Sequence, residues 1–234
     1  MMNIRLKFIK GYDTKYISHL DLMRTFQRAI RRAGIPISYS KGFNPHPRIS
    51  FASALGIGLT SKGEYLDLVV EEEISGEKIV TELNKNLPEG LKVVNAVALK
   101  DGAKSAMSLV THARYYISLN LKNDVDFEKS LSDFLKSDTI KVFKKQPKKD
   151  FQLTELDIKP MIKEIKVISK EDQDKIILDC LLASGSKANL KPELLIEAIK
   201  NHMGDVFQIE SIERIELYTV EKGRLVPLLS VDNR

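Results

Sequence analysis

From Asn3 to Lys10 apolar and basic residues alternate, with Ile4, Leu6 and Phe8 set against Arg5 and Lys7. That period of two predicts a half-buried strand. The period then changes. Between His19 and Ala33, residues Leu22, Met23, Phe26, Ala29, Ile30 and Ala33 fall within an arc of roughly 120° on a helical wheel, which predicts a helix with one core-facing stripe. Gly34 and Pro36 close it. Short extended pieces follow at Ile37–Ser40 and Ile49–Ala52, then a strand in "EYLDLVVEEE", a helix in "GEKIVTELNKNLP" and a strand in "LKVVNAVAL". The predicted order over residues 1–100 is β-α-β-β-α-β, a ferredoxin-like unit.

The small polar stretch 101–111, "DGAKSAMSLVT", follows and reads as a linker. The same order returns over residues 112–222: strand "ARYYISLNL", helix "DFEKSLSDFL", strand "IKVFKK", strand "KIILDCLLA", helix "KPELLIEAIKNHM" and strand "QIESIERIELYTV". An insertion around 146–174, carrying the extended "DFQLTELDI" and a short helix, separates the two middle strands, and 223–234 reads as a C-terminal tail. The expected fold class is α+β, two tandem ferredoxin-like units, with the repeat argued from element order rather than sequence identity.

Composition narrows the class. With 43% hydrophobic and 29% charged residues the chain is able to build a core, so wholesale disorder is not expected. No apolar run approaches the roughly 20 residues that span a bilayer, and the alternating N-terminus does not resemble a signal peptide. The single cysteine, Cys180, sits in "IILDCLLA" and reads as a small buried hydrophobe. The expected setting is cytoplasmic, with no membrane contact.

Charge changes the picture more. Residues 1–63 hold eleven Lys or Arg against two Asp and no Glu, a net +9, so the remainder sums to 5 − 9 = −4. A basic N-terminal quarter on a mildly acidic remainder fits a polyanionic partner or an acidic protein face. Within the predicted first helix, Arg24, Arg28, Arg31 and Arg32 lie opposite the apolar stripe, within roughly 100° of one another. Like charges spaced i,i+4 oppose helix formation by ~0.2–0.5 kcal/mol each, and no acidic residue stands between them. The planar guanidinium grips phosphate through two hydrogen bonds, so this side reads as an anion-binding face.

The loop "YSKGFNPHPRISF" continues it. Asn44-Pro45 and His46-Pro47 exclude helix and stiffen the loop, holding Lys41, Asn44, His46 and Arg48 in place for RNA or another anion, while Tyr39, Phe43 and Phe51 offer aromatic faces. Ser18 and Asp21 fit a helix-capping pair. His19, at the first helical position, suits either a packed histidine or a weak candidate general base. A metal site at His19, Asp21 and His46 lacks the usual ligand spacing. A second basic segment, "IKVFKKQPKKD", carries Lys141, Lys144, Lys145, Lys148 and Lys149; strand-edge lysines of this kind often guard against aggregation.

The stretch "ISHLDLMRTFQRAIRRAGIPISYSKGFNPHPRISFASALGIGLTSKGEYLDL", densest from Tyr16 to Leu68, closely resembles the radical-SAM-linked protein family, a bacterial domain of unknown function. The later "ELDIKP" also fits. The resemblance implies a radical S-adenosylmethionine enzyme as partner, and an RNA or ribosome setting. It carries over no catalytic residue. The iron–sulfur cluster and S-adenosylmethionine would belong to that partner, because a radical enzyme holds its cluster with three closely spaced cysteines and this chain has one. No P-loop, dinucleotide fingerprint, zinc spacing or serine nucleophile elbow is present either. Three readings remain: an RNA-binding accessory protein, an RNA-cleaving or RNA-modifying enzyme using His19, and a purely protein-binding subunit.

Overall fold

The alternating and helical periods become, in chain order, β1 (Met2–Lys10), α1 (His19–Arg32), β2 (Ile49–Phe51), β3 (Thr60–Val70), α2 (Gly76–Asn84), β4 (Leu91–Ala98), α3 (Ala106–Leu109) and β5 (His112–Leu121). They continue as α4 (Phe127–Lys136), β6 (Lys141–Gln146), β7 (Gln152–Asp157), β8 (Ile162–Asp172), β9 (Lys175–Ala183), α5 (Pro192–Met203), β10 (Phe207–Glu221) and β11 (Arg224–Pro227). A computed structural model describes residues 1–122, 125–146, 152–172 and 174–231. The chain is an α+β protein with mixed strand pairing and, among the described residues, five α-helices. It divides into two units, Met1–Ala113 with Glu213–Arg234, and Arg114–Ile212.

In the first unit β1 is flanked by β4 and β3, both antiparallel to it. The other edge of β3 is shared, with β2 antiparallel at Leu66–Leu68 and β10 parallel at Thr60–Ser61. Side chains at period two on β1 (Ile4, Leu6, Phe8) meet the stripes of α1 (Leu22, Phe26, Ala29, Ile30) and α2 (Ile79, Leu83) in one buried cluster. Phe26 sits at its centre, in edge contact with Phe8 (4.8 Å between centroids) and Phe51 (5.7 Å). Burial of such side chains stabilises the unit by roughly 1.5–3 kcal/mol each.

The opposite side of β1 carries polar anchors. Arg5 is fully buried and doubly bonded to Asp67 (2.8 and 3.1 Å), and its remaining donors reach the carbonyls of Lys104 and Leu228. Arg214 is likewise buried and doubly bonded to Glu64 (2.7 and 2.9 Å). Removing either partner of such a pair leaves an uncompensated buried charge. Gly63 permits this closeness: a Cβ there would stand 2.5 Å from the Ile215 carbonyl oxygen.

Two expected boundaries differ. Residues 101–111 are expected to be a linker, but they contain α3 and bury Ala106 and Leu109, held where Asp67 Oδ2 accepts the Ala106 N–H at 2.6 Å. The expected tail at 223–234 contributes β11, paired with β10, and the buried Leu228.

In the second unit the strand order is β10-β5-β9-β8. Ile117 and Leu119 of β5, Leu178, Cys180 and Leu182 of β9, Leu131 and Phe134 of α4, and Leu195 and Ile199 of α5 are buried. The strand expected at "IKVFKK" to join the sheet is β6, which instead pairs with β7 in a separate two-stranded hairpin. Its place in the sheet is taken by β8, from the segment predicted as insertion. Three register shifts against β9 break the period-two pattern of β8, which hides it from a reading based on alternation.

Candidate nucleic-acid interface

The first unit presents the N-terminal basic residues. The α1 helix begins at Ser18, whose Oγ accepts the Asp21 N–H (3.2 Å) and donates to the Asp21 carboxylate (2.7 Å). Capping thus accounts for both residues. His19 follows, half-buried, its ring edge-on to Phe51 at 5.3 Å, and its Nδ1 is buried without a hydrogen-bond partner among the described residues. Packing on Phe51 is what this histidine does in the fold.

The arginines lie on the far side of α1, as helical phasing predicts: Arg24, Arg28, Arg31 and Arg32 are exposed while Phe26 and Ile30 are buried. Arg24 pairs with Asp21 at 3.3 Å across one turn. Arg28 and Arg32 take a different role. With Thr25 they form one wall of a groove of about 560 Å³, whose other wall is Lys85, Asn86, Leu87 and Pro88.

That second wall is held firmly. Asn84 exchanges two hydrogen bonds with the Val93 backbone (both 2.8 Å), fixing the turn from α2 into β4. Gly90 completes it with φ +84°, where a Cβ would meet Thr14 at 3.0 Å. The Asn86 carbonyl accepts from Arg32 at 2.5 Å, and Lys85 pairs with Glu82 at 2.8 Å. The groove is lined by three cations and no carboxylate. Arg31 is exposed but borders neither this groove nor the cavity described next.

The loop forms a short ladder. The Arg48 N–H donates to the Ser38 carbonyl and the Ser40 N–H to the His46 carbonyl (both 2.8 Å), while the His46 N–H donates to Ser40 Oγ (2.9 Å). Lys41, Asn44 and His46 are exposed above this base, and Phe43 at the tip is entirely solvated. Phe51 belongs to the core. Arg48 borders a separate cavity of about 360 Å³ with Asn3, Asp67 and Lys104, where a carboxylate makes a poorer seat for a polyanion.

The eight predicted anion-binding residues are therefore not one cluster. Arg28 and Arg32 are brought together, and Lys85 joins them. Sequence reasoning missed Lys85 because a lysine at a helix C-terminus is an ordinary complement to the helix dipole. Of the second basic segment, Lys141 pairs with Glu155 at 2.9 Å. Lys148 and Lys149, and the side chains of Lys144 and Lys145, lie outside the described residues. Among the described residues no group of three His, Cys, Asp or Glu is placed to hold a metal, and no helix is long and apolar enough to cross a membrane. Cys180 is fully buried, which pushes its thiol pKa well above the ordinary value.

Fold and groove together define an α+β protein with a cationic surface built on its first unit. The chain belongs to the family described as "Uncharacterized protein conserved in bacteria (DUF2344)", which it matches over residues 3–192. No curated protein matches it. Among solved structures it is similar to one titled "Crystal Structure of a Cbf5-Nop10-Gar1 Complex", at 12% identity and TM-score 0.48, over 92% of this chain and 48% of that one. It is also similar to an H/ACA RNP bound to a substrate RNA containing 2'-deoxyuridine, at 11% identity and TM-score 0.46, over 91% and 46%. A third is an unknown protein from Galdieria sulphuraria, at 11% identity and TM-score 0.26, over 91% and 98%. The chain spans about half the length of the first two.

Proposed function

We propose that this protein binds RNA or a ribonucleoprotein through the basic side of its first unit and serves, without catalysing a reaction itself, as an accessory protein of a radical S-adenosylmethionine enzyme in the cytoplasm. The observation that carries the RNA part is the groove of Arg28, Arg32 and Lys85. Its three cations converge on one open space that no carboxylate lines; Glu82, outside the lining, pairs with Lys85, and Arg28 and Arg32 have no carboxylate partner in the groove wall. Such a groove tracks a phosphate backbone, releasing counterions as it binds. The partner enzyme rests on the resemblance of Tyr16–Leu68 to the radical-SAM-linked family, and the cluster and S-adenosylmethionine are that partner's.

Each unit reads as ferredoxin-like. Numbering its four sheet strands by chain position, β4-β1-β3-β2 and β10-β5-β9-β8 both follow the order 4-1-3-2, with a helix after the first and third strands. The enzyme reading through His19 has less support, since the ring is packed against Phe51.

Two experiments test the proposal. Labelled RNA titrated with the protein at low salt should bind, and the Arg28→Ala/Arg32→Ala variant should bind more weakly with its folding intact; absence of binding by the unmodified protein refutes the RNA part. Affinity purification of the tagged protein from bacterial cells should recover a radical S-adenosylmethionine enzyme, and recovery of none refutes the partnership. RNA incubated with the protein alone should remain uncut; cleavage that disappears in His19→Ala at unchanged Tm would instead make this chain an enzyme.

A further inference from the structure

The turn between β1 and α1 presents two exposed tyrosines that neither the core nor the groove uses. Tyr12 and Tyr16 are each 71% exposed. Lys15 Nζ lies 3.6 Å from the Tyr12 ring centroid and 5.0 Å from that of Tyr16, so one ammonium touches both rings and sets their spacing. Ile57 (63% exposed) adjoins them, because the Gly58 N–H donates to the Lys15 carbonyl at 2.8 Å and Tyr16 passes close to Gly58.

The base beneath these rings is rigid. The buried Lys10 ammonium donates to the carbonyls of Lys15 (3.0 Å) and Ile17 (3.3 Å). The Gly11 N–H (2.7 Å) and Thr14 Oγ1 (3.0 Å) both donate to the Gly90 carbonyl. Gly90 stands two residues beyond Pro88, the last residue of the cationic groove's wall. The turn from α2 into β4 therefore lines the groove at Pro88 and, at Gly90, holds the backbone of the turn that carries the tyrosines. Asp13, the turn's one carboxylate, has its Cβ beside Gly90.

We propose that Tyr12 and Tyr16 form a stacking platform for unpaired bases, so that the RNA held by the groove is single-stranded where it crosses this turn. The inference rests on the RNA-binding reading and adds the strand state of the RNA. Aromatic rings stack on any base because every base offers a π-face, but only where that face is free of a pairing neighbour. Lys15 Nζ covers one face of the Tyr12 ring, so a base would stack on the face it leaves free, with the ammonium close by as a positive charge. An acidic protein face could also use the groove, but it would bury the rings against side chains rather than stack them on an unpaired base, and that difference is what the test reads.

The test compares one RNA sequence as an unpaired oligonucleotide and as a duplex, each carrying 2-aminopurine. The unmodified protein should prefer the single strand and quench its 2-aminopurine. Tyr12→Ala/Tyr16→Ala should lose about tenfold or more in single-strand affinity together with the quench, at unchanged duplex affinity. Tyr12→Phe/Tyr16→Phe, which keeps both rings, should behave as the unmodified protein. Equal, salt-sensitive binding to both forms, or an alanine variant that binds the single strand normally, overturns the platform and leaves the groove standing. No RNA binding at all overturns both. Loss of the co-purified enzyme in the alanine variant with RNA binding intact would make the tyrosines a protein-docking surface and overturn the stacking.

Discussion

The α1 and α4 helices occupy the same position in the two units, each following a first strand and laying an apolar stripe on its own sheet. Their other sides differ. In α4, Glu128, Lys129, Asp133 and Lys136 alternate in sign, and Asp133 pairs with Lys136 at 2.9 Å. In α1, four arginines share the exposed side, with the single pair Asp21–Arg24 near its start. Both helices are capped, by Asp126 and Ser18, so neither lacks a device for holding its end. A helix whose charges answer one another has little left for a partner. The α1 helix tolerates the repulsion of Arg28 and Arg32 and holds them beside one groove, the arrangement on which the proposed RNA contact rests.

The apolar sides should prove equivalent. Phe26→Ala in α1 and Phe134→Ala in α4 each remove a buried ring, and each should cost about 3–5 kcal/mol in urea unfolding. A cost under about 1 kcal/mol at Phe26 would mean that α1 does not build the core described here. Ser18→Ala and Asp126→Ala each delete a cap that accepts a backbone N–H, and each should cost about 1 kcal/mol by the same measurement.

Arg28→Glu gives α1 the alternating pattern of α4, with a carboxylate four residues from both Arg24 and Arg32. Thermal melts should show stability unchanged or raised by a few tenths of a kcal/mol, while RNA affinity falls. Stability and affinity falling together would contradict the account. The smallest effect concerns pH. The hydrogen bond from Lys136 holds the Asp133 carboxyl below the usual carboxylate range. Its folded pKa is depressed, so the pair's contribution is present above the unfolded carboxylate value and fades as pH falls through the folded one. An NMR titration of Asp133 should give a midpoint that rises towards the ordinary value in Lys136→Ala.

Much of this was legible in the sequence. The stripe of Leu22, Phe26 and Ile30 placed α1 and exposed its arginines, because helical phasing is set locally. The capping role of Ser18 and the buried state of Cys180 were equally local. What escaped depended on distant contacts. Nothing around Lys85 distinguishes it from an ordinary helix-end lysine until the turn after α2 brings it opposite Arg28. The same is true of residues 101–111, which look like a linker until Asp67 and Arg5 bind their backbone. Tyr12 and Tyr16 sit among polar neighbours, and only Lys10 and Gly90 reveal that the turn is rigid. The β8 strand hides within the segment expected as an insertion because its bulges interrupt the alternation that marks a strand.

The most direct test of the central claim is the salt dependence of RNA binding. For single-stranded RNA, log Kobs falls against log salt with a slope of about −0.7 per phosphate neutralised. If Arg28, Arg32 and Lys85 each contact a phosphate, replacing all three with alanine should flatten the slope by about 2 while the protein stays folded. An unchanged slope in the triple variant would show that the groove is not where the RNA lies.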